Sequence, residues 1–235
     1  MTKVKICGIR KLADALVAAE AGADMVGLVF VPGRRRCLEP GAARGIVEGL
    51  RASGGPIPEV VGLFADQPLK EVSQIMESCG LDLAQLCGNE SLEYCRRVPG
   101  RVIKVVHVDP RTPEAAVVDS LADLVQAYRA AGHLVTLDRL VEGLQGGTGH
   151  RFNWGVAARL SQRGLSFFLA GGLSPANVAL AVATAKPWGV DVSSGVETDG
   201  AKDHEKIRAF IRNARQSSAI SDRESASGSK LNADG

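Results

Sequence analysis

Lys5-Ile6-Cys7-Gly8-Ile9 places a thiol at the end of a short apolar run, beside a glycine. A free cysteine in an apolar run is ordinarily a small core residue. At the catalytic end of a strand, in an electropositive site that lowers its pKa, it can serve instead as a base. Lys5, two residues earlier, shares its side of such a strand. Val135-Thr136-Leu137-Asp138 ends a second run on a carboxylate, a candidate acid; a loop cap or surface acid accounts for the same spacing. Arg34, Arg35 and Arg36 are adjacent. They read as a solvated run, a weak nucleic-acid patch or, on an active face, the source of a bidentate partner for a carboxylate. Two segments have the makings of anion cradles: Leu169-Ala170-Gly171-Gly172-Leu173-Ser174-Pro175 and Val190-Asp191-Val192-Ser193-Ser194-Gly195-Val196-Glu197. Paired glycines bring backbone N–H groups close to an anion, and a helix opening near Pro175 adds its positive end. Ser193, Ser194 and Gly195 repeat the device after the other run. Gly146-Gly147-Thr148-Gly149 reads as a flexible cover, a further phosphate contact or a plain mobile connection. His107, His133, His150 and His204 fall in different elements without a His-x-x-x-His spacing, so no metal is expected. His107 ends an apolar run and reads as a ligand contact or a satisfied structural histidine. Lys104 is a conceivable Schiff-base lysine that nothing singles out.

The elements that must position these residues follow from the apolar pattern. Eight short runs, at 4–9, 25–30, 60–65, 83–86, 102–107, 134–138, 166–170 and 189–192, are apolar on nearly every position. That is what strands covered on both faces require. Amphipathic stretches at 12–21, 40–52, 69–78, 91–98, 113–131, 154–161, 175–184 and 203–215 predict helices between them. Pro40, Pro113 and Pro175 sit near first turns, and Gly22 and Gly132 follow helical runs. The alternation predicts a closed (β/α)8 TIM barrel. An open doubly wound sheet is the alternative, weakened because no Gly-x-Gly-x-x-Gly follows the first strand. In a barrel the chemistry lies on the loops after the strands, and the phosphate site on the loops after strands seven and eight, where the two cradles fall. Residues 1–215 are expected to form one catalytic domain. Residues 216–235, rich in Ser, Asp, Asn and Gly, are expected to form a disordered tail, with an extended last helix as the other reading.

Composition narrows the partners. In 235 residues, 28 basic and 26 acidic side chains leave a net charge of +2, and aromatics make up 4%. Neither a nucleic-acid field nor a base-stacking surface is expected, and no run is long enough to cross a membrane. The N-terminus turns polar at once, unlike a signal peptide. Five cysteines without paired spacing suit a reducing cytoplasm. Monomer and homodimer both remain open.

Taken in order, these blocks resemble the phosphoribosylanthranilate isomerase family from Lys3 to about Arg215. Lys5-Ile6-Cys7-Gly8-Ile9 is similar to the family's N-terminal signature, and Gly22-Ala23-Asp24-Met25-Val26-Gly27-Leu28-Val29-Phe30 to its second-strand segment. Gln85-Leu86-Cys87-Gly88, Gly146-Gly147-Thr148-Gly149, Phe152-Asn153-Trp154 and the two cradles resemble further blocks. The resemblance implies a barrel and a cofactor-free Amadori rearrangement of N-(5-phosphoribosyl)anthranilate to 1-(2-carboxyphenylamino)-1-deoxyribulose 5-phosphate. It implies Cys7 as general base, Asp138 as general acid and Arg36 as holder of the anthranilate carboxylate. Gly149, Gly171, Gly172, Asp191, Ser193 and Ser194 become substrate contacts. The sequence departs from the family pattern at Cys87 (usually His), Arg34 (usually a small hydroxyl residue), Arg139 (Ser or Thr) and Asn153 (Asp). A non-catalytic or different phosphosugar-binding barrel is the competing reading; the first would want the acid or base lost, the second a committed lysine or a metal cluster.

Overall fold

Each apolar run becomes a strand because a parallel strand buried on both faces has no polar side to show. The computed structural model describes residues 1–108, 114–139 and 153–228. Strand β1 (Lys3–Cys7) leads to helix α1 (Leu12–Glu20), β2 (Met25–Val29) to α2 (Pro40–Ala52), and β3 (Glu59–Phe64) to α3 (Leu69–Cys79). Then come β4 (Leu83–Leu86), α4 (Leu92–Arg97), β5 (Arg101–Val108), α5 (Glu114–Ala130), β6 (Leu134–Arg139) and α6 (Trp154–Gln162). β7 (Phe168–Leu169), α7 (Val178–Ala185) and β8 (Gly189–Val192) complete the cycle. The eight strands form a closed parallel barrel in sequence order. Closure is made by β1 against β8, in the register Lys3↔Gly189 and Lys5↔Asp191.

Alternation along the strands builds two cores. Val4, Ile6, Val26, Leu28 and Val60 face outward into the layer beneath the helices. Cys7, Met25, Val61, Leu83, Ile103 and Phe168 pack inside the barrel. The floor depends on a glycine: a Cβ at Gly189 would lie 2.4 Å from Cε1 of Phe168. The Phe168 ring fills that space and meets Trp188 edge-on at 4.9 Å between centroids.

Four elements differ from expectation. The seventh strand is only Phe168–Leu169. α7 begins at Val178, because the Asn177 side chain accepts from Ser174 N–H and donates to the Gly172 carbonyl, holding Pro175 in a turn. An antiparallel hairpin, β9 (Glu197–Thr198) and β10 (Ala201–Lys202), follows β8. Asp199-Gly200 turns it, with φ of 50° and 77°. That dipeptide is a strong hairpin signal, so this element was open to a sequence reading. The last helix, α8, spans His204–Gly228, continuing past Arg215 through the segment where a tail is expected. Residues 229–235 lie outside the described residues, as do Pro113 and Gly146 to Gly149.

Candidate active site

The C-terminal ends of the strands open into a cavity of about 420 Å³, within the range of small-ligand sites. Cys7 comes from β1 and Asp138 from β6. Gln85 lies within β4, Cys87 follows that strand, and His107 belongs to β5. All five line the cavity. So do Arg34, Arg35 and Arg36 after β2, Gly171 and Gly172 after β7, and Asp191, Ser193 and Ser194 from β8 and its loop. The expected site residues that lie within the described residues therefore meet on one wall system; Gly149 lies outside them. Lys104 does not line the cavity. Its Nζ pairs with Glu90 at 2.7 Å and donates to the Gly88 carbonyl at 2.6 Å.

The two cradle loops touch backbone to backbone. A Cβ at Gly195 would lie 1.8 Å from the Leu173 carbonyl oxygen, a contact neither loop can relieve by turning a side chain. Gly195→Ala is expected to destabilise the fold by about 2–3 kcal/mol, read as a lower urea midpoint. An unchanged midpoint would mean that the loops do not meet this closely. Gly8 plays a matching part on the other side, at φ 75°, where a Cβ would meet Cδ of Arg36 at 2.4 Å.

Arg36 crosses that gap to Glu197. Its Nε donates to Oε1 at 2.7 Å and its Nη2 to Oε2 at 2.8 Å. Arg35 and Lys202 pair with the same carboxylate at 2.6 and 3.0 Å. Burial alone would raise the Glu197 pKa, but Arg36, Lys202 and Arg35 hold it down at about 2. Glu197 was visible only as the end of a loop motif, and its work of orienting Arg36 depends on a contact across 161 residues. The buried Lys202 side chain donates to the Ser193 carbonyl at 2.8 Å, a local contact made because the β9–β10 hairpin folds Lys202 back over that loop.

The titratable groups are tuned by enclosure. Burial pushes the Asp138 carboxyl above the usual carboxylate range. The Arg139 N–H, donating to Oδ1 at 2.7 Å, pulls the other way, as do His107 and Lys5, while Asp191 adds to the rise. Burial also pushes the Cys7 thiol up, against Lys5 and Lys202, which favour the thiolate. The electropositive surroundings expected of a reactive cysteine are present, and desolvation outweighs them. Cys87 is pushed up to about 12 by burial and adds no charge at neutral pH. His107 Nε2 lies 3.1 Å from the Cys87 carbonyl. A carbonyl only accepts, so Nε2 carries the proton. Gln85 Oε1 and Asp191 Oδ1 are buried with no partner among the described residues. Both residues line the cavity, so these oxygens can accept from ligand hydroxyls. Among the described residues no cluster of His, Cys, Asp and Glu could hold a metal ion, and no helix is long and apolar enough to cross a membrane.

Comparison with known proteins shows the family. Residues 4–213 match the family model for N-(5′-phosphoribosyl)anthranilate isomerase. The chain is 46% identical over 216 residues to the enzyme of that description from Geobacter sulfurreducens, covering 92% of this chain and 99% of that one. It is 41% identical over 215 residues to that from Dehalococcoides mccartyi, at 92% and 96% coverage. Among solved structures, the phosphoribosyl anthranilate isomerase of Thermotoga maritima superposes with a TM-score of 0.77 at 35% identity, covering 92% of this chain and 100% of that one. A phosphoribosyl anthranilate isomerase in complex with reduced 1-(o-carboxyphenylamino)-1-deoxyribulose 5-phosphate superposes with a TM-score of 0.74 at 35% identity and the same coverage.

Proposed function

The chain belongs to the N-(5′-phosphoribosyl)anthranilate isomerase family of tryptophan biosynthesis, and from that membership we propose that it converts N-(5′-phosphoribosyl)anthranilate to 1-(2-carboxyphenylamino)-1-deoxyribulose 5-phosphate, with Asp138 as acid and Cys7 as base. The observation that carries the residue roles is that one cavity is lined both by a buried carboxyl held toward its protonated form and by a thiol beside two lysines. Protonated Asp138 gives its proton to the ribose ring oxygen as the bond from that oxygen to C1′ breaks and the anthranilate nitrogen supplies the electrons. An iminium forms. The Cys7 thiolate then takes the C2′ hydrogen, and the electron pair left behind neutralises the nitrogen to give an enolamine. Return of the proton to C1′ and loss of the C2′ hydroxyl proton give the ketone and restore both groups. A matched acid and base suffice for each proton transfer.

The remaining contacts follow from charge. The phosphate is held by the loops carrying Gly171, Gly172, Ser193 and Ser194, the usual barrel location. Arg36 presents its remaining guanidinium edge, Nη1 and Nη2, to the anthranilate carboxylate, while Glu197 fixes the other edge. Asp191 Oδ1 accepts from a ribose hydroxyl. Arg36→Ala is expected to raise KM about 10–100-fold with a smaller change in kcat, the loss of charge-assisted hydrogen bonds to one ligand group. An unchanged KM would remove Arg36 from the carboxylate site. The direct test is the decay of anthranilate fluorescence with freshly made phosphoribosylanthranilate. Folded protein without turnover would favour a non-catalytic barrel.

A further inference from the structure

The barrel interior holds a full charge that the proton transfers above do not use. Lys5 projects inward from β1, two residues from Cys7, and none of its surface reaches solvent. An ammonium so placed must be paired. Its Nζ donates to Asp191 Oδ2 at 2.9 Å, a carboxylate brought alongside by the closing register of the barrel. Burial alone would strip the proton from Lys5; Asp191 and the neighbouring sulfurs more than offset that, so it stays an ammonium. Such a pair adds little stability over apolar residues of the same volume. Its place, rather than its strength, is what requires an account.

The place is beside the sulfur of Cys7. The charged and titratable groups facing that sulfur are Lys5 on its own strand, Asp191 on β8, Lys202 on β10, Cys87 after β4 and Arg36 after β2. Lys202 and Arg36 both pair with Glu197. Lys5 shares the inward face of β1 with the sulfur, two residues away, and its positive charge favours the thiolate while its Nζ keeps the contact with Asp191.

We propose that Lys5 is a positioning residue for Cys7: its ammonium, anchored on Asp191, fixes a buried positive charge beside the sulfur and stabilises the thiolate. Asp191 acts in the opposite sense, so the pair sets the basicity of the thiol between a lone ammonium and a neutral wall. Lys5 keeps its three protons throughout, and the proton that leaves Cys7 goes to solvent or substrate. The proposal rests on Cys7 as the base, but the sulfur's ionisation can be measured without turnover.

The experiment is the pH dependence of Cys7 alkylation by iodoacetamide in the full chain, followed by mass spectrometry of the Cys7 peptide. Lys5→Met is expected to move the midpoint of the rate profile up by at least one pH unit, a tenfold slower reaction at fixed pH below it. Asp191→Asn is expected to move it down, and Lys5→Arg to hold it near the parent. If Lys5→Met fails to fold because Asp191 is stranded, the double variant Lys5→Met/Asp191→Asn removes both charges and is expected to move the midpoint up. A folded Lys5→Met or double variant with an unmoved midpoint, or Lys5→Met and Asp191→Asn moving in the same direction, would overturn the proposal. An active Cys7→Ala would overturn the base assignment instead, leaving the alkylation result standing.

Discussion

Asp138→Asn is expected to lower kcat by about 10²–10⁴-fold with little change in KM. The amide keeps the shape of the carboxyl and can still donate a hydrogen bond to the ring oxygen, but it cannot release a proton. Ring opening then has only water as its acid. The same substitution should leave the protein as stable as the parent, or more so, near neutral pH. A carboxyl whose pKa is raised by folding costs stability once it ionises, and the cost grows as pH rises from its unfolded value through its folded one. Burial puts Asp138 in that class, and asparagine has no charge to bury. Lost activity with an undiminished melting temperature is therefore the signature; retention of more than a tenth of the parent kcat would sink the acid role.

Cys7→Ala should cost about as much, roughly 10²–10⁴-fold in kcat, because C2′ loses its proton acceptor. Cys7→Ser should do no better, since a hydroxyl ionises far less readily than a thiol. The pH profile carries a further sign. Turnover needs the Cys7 thiolate and the Asp138 acid together, so the rate rises as Cys7 ionises and falls as Asp138 does. Burial raises both groups, which moves both limbs of the bell upward from their ordinary positions. The two apparent pKa values belong to the pair. A profile flat across both limbs would contradict the assignment.

The barrel was legible because its strands are nearly all apolar while its helices are not, a contrast that survives without knowledge of any contact. β7 is shorter than its apolar run because Phe167 and Ala170 share the composition of a strand where the ladder has already ended. Cys7 and Asp138 could be picked out because each closes an apolar run, and Arg36 because it lies in a cluster; their roles came from the family resemblance. The Lys5–Asp191 pair and the Glu197 clasp were hidden for a different reason. They are made across 186 and 161 residues, by the register that joins the last strand to the first. No local period records such a meeting.

That meeting has a cost in time. A ribosome adding about 5–20 residues per second takes roughly 8–32 s to travel from Arg36 to Glu197. Over that interval the nascent chain has already made Lys5 and Arg36 and not yet their carboxylates. Lys5 enters an apolar interior as an ammonium only with a partner such as Asp191 beside it. The ion pairs that complete the site can form only when the last strand is present to neutralise the first.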